Sequence, residues 1–107
     1  MAFAVRVANT AMRDVEEYRE YILRQSNDRQ AADRWWAGLF TAIASLEVLP
    51  TRCPRIEERD NFDLPLHQLL YESHRILFWI DKKTVHVLRV YPSWARPLSS
   101  LRQRPQR

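Results

Sequence analysis

Residues 72–90 read ESHRILFWIDKKTVHVLRV, and the fold turns on this stretch. β-Branched and aromatic residues dominate two runs, RILFWI and TVHVLRV, on either side of the polar turn Asp81, Lys82 and Lys83. That is the pattern of a β-hairpin. Ile76, Phe78 and Ile80 fall on one face of the first run, and Arg75, Leu77 and Trp79 on the other. A strand apolar on both faces belongs at the centre of a sheet covered at least partly on each side. Just upstream, LHQLLYES at 66–73 has the same character, so the three runs predict a three-stranded meander.

Working outward, FAVRVA at 3–8 alternates Phe3, Val5 and Val7 with Ala4, Arg6 and Ala8, the period-two signature of a half-buried strand. Asn9 and Thr10 are good N-cap types for a helix with apolar positions Ala11, Val15, Tyr18 and Ile22 that runs to about Gln25. Asp14, Glu16 and Glu17 are expected near its positive end. After the polar break Ser26, Asn27 and Asp28, a second helical run carries Ala32, Trp35, Trp36, Leu39, Phe40, Ile43 and Leu46, and Pro50 stops it. Two helices joined so tightly must fold back as an antiparallel hairpin. Residues 50–65, PTRCPRIEERDNFDLP, read as a loop. The expected fold is therefore α+β and two-layered: an N-terminal strand, a helical hairpin and an antiparallel meander (β-α-α-β-β-β), with the helices on one sheet face and the other face partly free for a partner.

Composition removes several function classes. With 107 residues the chain is one domain's worth; residues 1–96 are read as that domain and 97–107 as a basic tail. The single glycine, Gly38, lies in a helical run, which excludes the glycine-rich phosphate loops of nucleotide-binding folds. One cysteine, Cys53, rules out an internal disulfide and a multi-thiolate zinc site. It reads as an incidental loop thiol, although Arg52 beside it favours a reactive thiolate. No membrane span or signal peptide is apparent, which suits a cytoplasmic protein. His67, His74 and His86 lack metal-ligand spacing, so neither a metal nor a cofactor is expected. No serine sits in a nucleophile motif.

The net charge is +4, and no acid follows Asp81. The excess therefore lies in the tail, on Arg96, Arg102, Arg104 and Arg107. All but two of the 17 cations are arginines, whose planar fork pairs with phosphate or carboxylate. Metal-free RNA cleavage needs proton carriers and cations around a crowded phosphate. Arg75, Arg89, Tyr91 and Arg96 are the candidates that sheet pairing can gather, with His74 and His86 as proton carriers. Taken singly, each fits a packing role more readily. Of the tryptophans, Trp35 and Trp36 suit the core, one of them reaching its edge. Trp94, beyond the last strand, can dock on the sheet, stack on a base or anchor a partner.

The element order and the stretch LPLHQLLYESHRILFWIDKKTVHVLRVYPSWARPL resemble the RelE/ParE superfamily of toxins from type II toxin–antitoxin modules. The family's Tyr-Arg pair is similar to His74-Arg75 here, His67 stands where an arginine commonly opens the preceding strand, and residues 92–96 stand for its His-Gly-x-Arg-like run. The resemblance implies a bacterial toxin that limits growth, as in plasmid stabilisation, and is silenced by a cognate antitoxin, with operator DNA contacted only through that antitoxin. RelE-like members are mRNA interferases that cut in the ribosome, and ParE-like members inhibit DNA gyrase. For the ribosomal role the resemblance implies Arg75 and Arg96 on phosphate and Tyr91 moving protons, in a metal-independent endoribonuclease. Long helices and the missing helical lysines favour the ParE-like, non-enzymatic branch, with Trp94, Arg96, Arg102 and Arg104 as partner-binding residues. A degenerate, non-toxic member is the remaining alternative.

Overall fold

The computed structural model describes residues 2–106; Arg107, the last of the tail arginines, lies outside them. The elements are β1 (Ala4–Val7), α1 (Asn9–Ser26), α2 (Arg29–Ala44), β2 (His67–Tyr71), β3 (His74–Asp81) and β4 (Thr84–Pro92), with short 3-10 turns at Ser45–Glu47, Pro50–Arg52 and Arg59–Asn61. This is the expected β-α-α-β-β-β arrangement. The sheet order is β1-β4-β3-β2. β2, β3 and β4 form the antiparallel meander, and β1 pairs parallel to β4 with Val5 opposite Val85. No helix among the described residues is long and apolar enough to cross a membrane.

α1 begins one step earlier than its sequence suggests. Ala8 is the N-cap and offers no side-chain bond, so neither Asn9 nor Thr10 caps the helix and no acid lies in its first turn. The Thr10 hydroxyl instead donates to the Leu88 carbonyl at 2.8 Å, which ties α1 to β4. Leu88 is the extra residue of a β-bulge, because Leu77 pairs with Arg89 while Phe78 pairs with Val87. The bulge breaks the strand's alternation. Val90, rather than Arg89, therefore joins Val85 and Val87 in the core beneath the helices. Between the helices Asn27 adopts φ 50° and donates its N–H to Leu23, and Asp28 caps α2 through the Ala31 N–H at 3.1 Å.

The helix-side core gathers Ala11, Val15, Trp35, Leu39, Ile43, Ile76 and Phe78. Trp35 is buried, whereas Trp36 is half-buried with the Arg19 guanidinium 5.7 Å from its ring centre. Gly38 is where Tyr71 crosses α2. A β-carbon there would collide with the Tyr71 hydroxyl and lie 3.0 Å from Cζ. Its absence lets that hydroxyl donate to the Trp35 carbonyl at 3.2 Å.

The second sheet face is covered, not partly free. Ile56, Leu66, Leu77, Tyr91 and Leu98 form a second buried cluster, with Phe62, Leu64 and Leu101 packed at its margin. Residues 50–65 and the C-terminal segment supply the cover. The physical reason is the double-sided character of β3: Leu77 needs burial as much as Phe78 does. Single residues such as Ile56 and Leu98 provide it, without any periodicity to announce them.

Candidate functional site

Arg75 and Tyr91 face one another across β3 and β4, as register partners on the second sheet face. The Arg75 guanidinium donates from Nη1 and Nη2 to the two carboxylate oxygens of Glu58, both at 2.8 Å, and from Nε to the Gln68 side chain at 2.8 Å. The side chains of Arg75 and Glu58 are only 13% and 9% exposed. Glu58 also accepts the Leu98 backbone N–H at 2.9 Å, which fastens the C-terminal segment to the same carboxylate. Burial pushes the Glu58 carboxyl up, but hydrogen bonds from Arg75 and Leu98 and the arginine's charge hold it below its ordinary value.

Tyr91 is wholly buried; its hydroxyl donates to the Arg96 carbonyl at 3.1 Å and accepts from Gln103 Nε2 at 2.8 Å. Arg89 makes a second two-pronged pair, Nε and Nη2 donating to Asp14 at 2.7 and 2.9 Å. Its Nη1 donates to the carbonyls of Leu101 and Gln103 at 2.7 and 2.8 Å. Two β4 residues, Arg89 and Tyr91, and Glu58 of the 50–65 loop thus hold down residues 97–106. The segment closes on itself where the Arg96 N–H donates to the Gln106 carbonyl at 2.8 Å.

Of the sequence-derived candidates, Arg75, Tyr91 and Arg96 do come into one neighbourhood, but not with their functional groups turned outward. A phosphate reaching Arg75 must displace Glu58, and the Tyr91 hydroxyl is committed to two internal partners. Arg96, Arg102 and Arg104 are exposed, Arg104 with its Nη1 3.3 Å from Glu17. Trp94 is 45% exposed and stands at a cavity beside α1.

The histidines are packing residues. His74 lies against Tyr18 and Trp35, and burial lowers its pKa to about 4 despite the raising influence of Glu72, so it is neutral at physiological pH. His67 holds the Cys53 carbonyl at 2.8 Å, and His86 stacks on Trp79. Cys53 is buried, which raises its thiol pKa against the lowering effect of Arg52. Among the described residues no group of three or more His, Cys, Asp or Glu is placed to hold a metal ion.

Glu58, Asp14 and Gln103, which organise the site, carried no distinguishing signal in the sequence. Glu58 is one of several acids in residues 50–65, Asp14 one of several on α1, and both are identified only by the arginine the fold brings to them.

Over residues 5–93 the sequence matches a family model described as the ParE toxin of type II toxin–antitoxin systems, parDE. Among solved structures, the chromosomal ParDE toxin–antitoxin system of P. aeruginosa superposes with a TM-score of 0.70 at 13% identity, covering 85% of this chain and 96% of that one. The toxin–antitoxin complex RelBE2 of Mycobacterium tuberculosis gives a TM-score of 0.53 at 26% identity, covering 84% and 96%. No curated protein matches the sequence.

Proposed function

The chain belongs to the ParE toxin family of type II toxin–antitoxin systems, and we propose that it arrests growth by gripping another protein, DNA gyrase, rather than by cutting RNA. The observation that carries this reading is the pairing of Arg75 with Glu58. Metal-free RNA cleavage asks for a cation free to take the phosphate and a side chain free to move a proton. Here the first is neutralised and the second, Tyr91, is buried. What remains on the surface, Trp94 with Arg96, Arg102 and Arg104, suits contact with a protein partner. A cognate antitoxin is the second partner proposed, and operator DNA is reached only through it.

The ribosomal alternative draws on one observation, the 26% identity to the RelBE2 complex; it requires Glu58 to release Arg75 on the ribosome. One experiment separates the two. Purified protein is added to a gyrase supercoiling reaction and, separately, to mRNA-programmed ribosomes. Inhibited supercoiling with intact mRNA supports the proposal. Cleavage at codon-defined positions, lost in Arg75→Ala, overturns it. No effect in either, with growth unimpaired on overexpression, identifies a non-toxic member.

A further inference from the structure

Thr10, Arg13 and Glu17 recur at the helical period and so share one face of α1. Residues 101–105 run past that face, and the groove between them is floored by the buried pair of Asp14 and Arg89. Both walls are pinned to β4. The Thr10 hydroxyl donates to the Leu88 carbonyl, and Arg89 Nη1 donates to the carbonyls of Leu101 and Gln103. A site held in this way is set before a ligand arrives, which lowers the cost of binding.

Four arginines line the groove, Arg13, Arg89, Arg102 and Arg104, against the two acids Asp14 and Glu17. Both acids are already engaged. Asp14 takes Arg89 in a two-pronged pair, and Glu17 accepts from Arg104 at 3.3 Å in a pair whose side chains are 53% and 71% exposed. That leaves Arg13 on one wall and Arg102 on the other. Both are exposed, and among the described residues neither enters an ion pair.

We propose that this groove receives an acidic segment of a partner polypeptide, its carboxylates pairing with Arg13 and Arg102. The planar fork of a guanidinium matches a carboxylate two-pronged, which makes arginine the fitting receiver. A peptide suits the groove better than a nucleic acid because Glu17 lies in the same lining, and evenly spaced phosphates would be driven against it. A peptide carries its acids singly and can leave that position neutral. The inference rests on the reading of the C-terminal arginines as a partner surface and adds Arg13 to it; it does not require that the partner be gyrase.

The test titrates the full-length protein at low salt with the capped peptide acetyl-Glu-Ser-Glu-Ser-Glu-amide, following the arginine Nε–H signals by NMR. Saturable shifts at Arg13 and Arg102 are expected, with a dissociation constant on the order of millimolar for so small a ligand, rising as salt screens the pairs. The peptide with glutamine in place of each glutamate should bind about tenfold more weakly. Arg13→Gln and Arg102→Gln should each weaken the acidic peptide about threefold. Arg24→Gln, which removes an exposed arginine from the last turn of α1, should leave its affinity unchanged. All three positions are exposed, and unchanged circular dichroism and melting temperature establish that the variants fold. Absence of shifts at Arg13 and Arg102, equal binding of the glutamine peptide, or an equal loss in Arg24→Gln would overturn the proposal. Tighter binding of a thymidine oligonucleotide of the same charge would overturn the polypeptide as the occupant. No gyrase is present in this titration, so its failure and a failure of the supercoiling assay are separate results.

Discussion

Glu58→Gln isolates the interaction on which the functional reading rests. Glu58 and Arg75 are about one-tenth exposed, and the carboxylate accepts two arginine N–H groups and the Leu98 N–H. Removing one member of a buried pair strands the other charge and costs about 3–5 kcal/mol. Glutamine keeps one acceptor oxygen, so the lower end, about 3 kcal/mol, is expected. For a domain of this size that is a fall in Tm of roughly 12 °C or more. Urea unfolding followed by tryptophan fluorescence measures it directly, with an unchanged m-value as the sign that the folded state is otherwise intact. The pH dependence has a definite sign. A carboxyl held below its ordinary value contributes stability that is full above the unfolded pKa and is lost as pH falls through the folded one. The acid limb of the stability curve should therefore flatten in Glu58→Gln. The double variant Glu58→Leu with Arg75→Met, which removes both charges, should recover to within about 1 kcal/mol of the parent. A loss below about 1 kcal/mol in Glu58→Gln would make this an ordinary surface pair, and no recovery in the double variant would refute the stranded-charge argument; in either case the claim that Arg75 is held back from phosphate fails.

Four further outcomes are expected. Gly38→Ala, a change that ordinarily strengthens a helix, should destabilise this one by about 1–3 kcal/mol because Tyr71 must move, with partial rescue by Tyr71→Phe; a gain in Tm would contradict the crossing described. His74, with a folded pKa of about 4 against about 6.5 unfolded, leaves the unfolded chain binding more protons between those values. Stability should thus decline by about 3 kcal/mol as pH drops from 6.5 to 4, a slope that His74→Phe removes and that NMR titration of the ring checks. Cys53, buried with its thiol pKa raised, should react with iodoacetamide at least about tenfold more slowly in native protein than in urea. Truncation after Arg96 removes Leu98 and the two carbonyls that Arg89 binds, and should cost about 3 kcal/mol or more; the exposed changes Arg102→Gln and Arg104→Gln should leave the melting curve in place, so lost toxicity in those variants reports lost contact rather than lost fold.

The order of elements was legible because it rests on periodicity. Phe3, Val5 and Val7 alternate, α2 repeats its apolar residues every three or four positions, and residues 75–80 are apolar on both sides. The starts of elements were less legible, since a good cap type is only an offer: Thr10 found a better acceptor in Leu88 across 78 positions of sequence. The bulge at Leu88 was hidden for a related reason. Val85, Val87 and Arg89 alternate cleanly on paper, yet the register shifts between Val87 and Arg89, and Arg89 goes into a buried pair with Asp14.

Arginine chemistry shows the limit more sharply. A guanidinium read from sequence carries a charge and a fork, but whether it serves a ligand or the fold depends on which acid the chain delivers to it. Arg75 receives Glu58 from 17 residues upstream and Arg89 receives Asp14 from 75. Neither separation has a local signature. Arg104 also finds an acid, Glu17, yet in a pair left largely in solvent. Burial decides the difference, because an acid that shares its desolvation with an arginine cannot be given up without stranding a charge, whereas an exposed one exchanges partners at little cost. The positive excess that remains open to partners is therefore on the C-terminal segment, on Arg96, Arg102 and Arg104, and a partner that engages it presents acidic groups there.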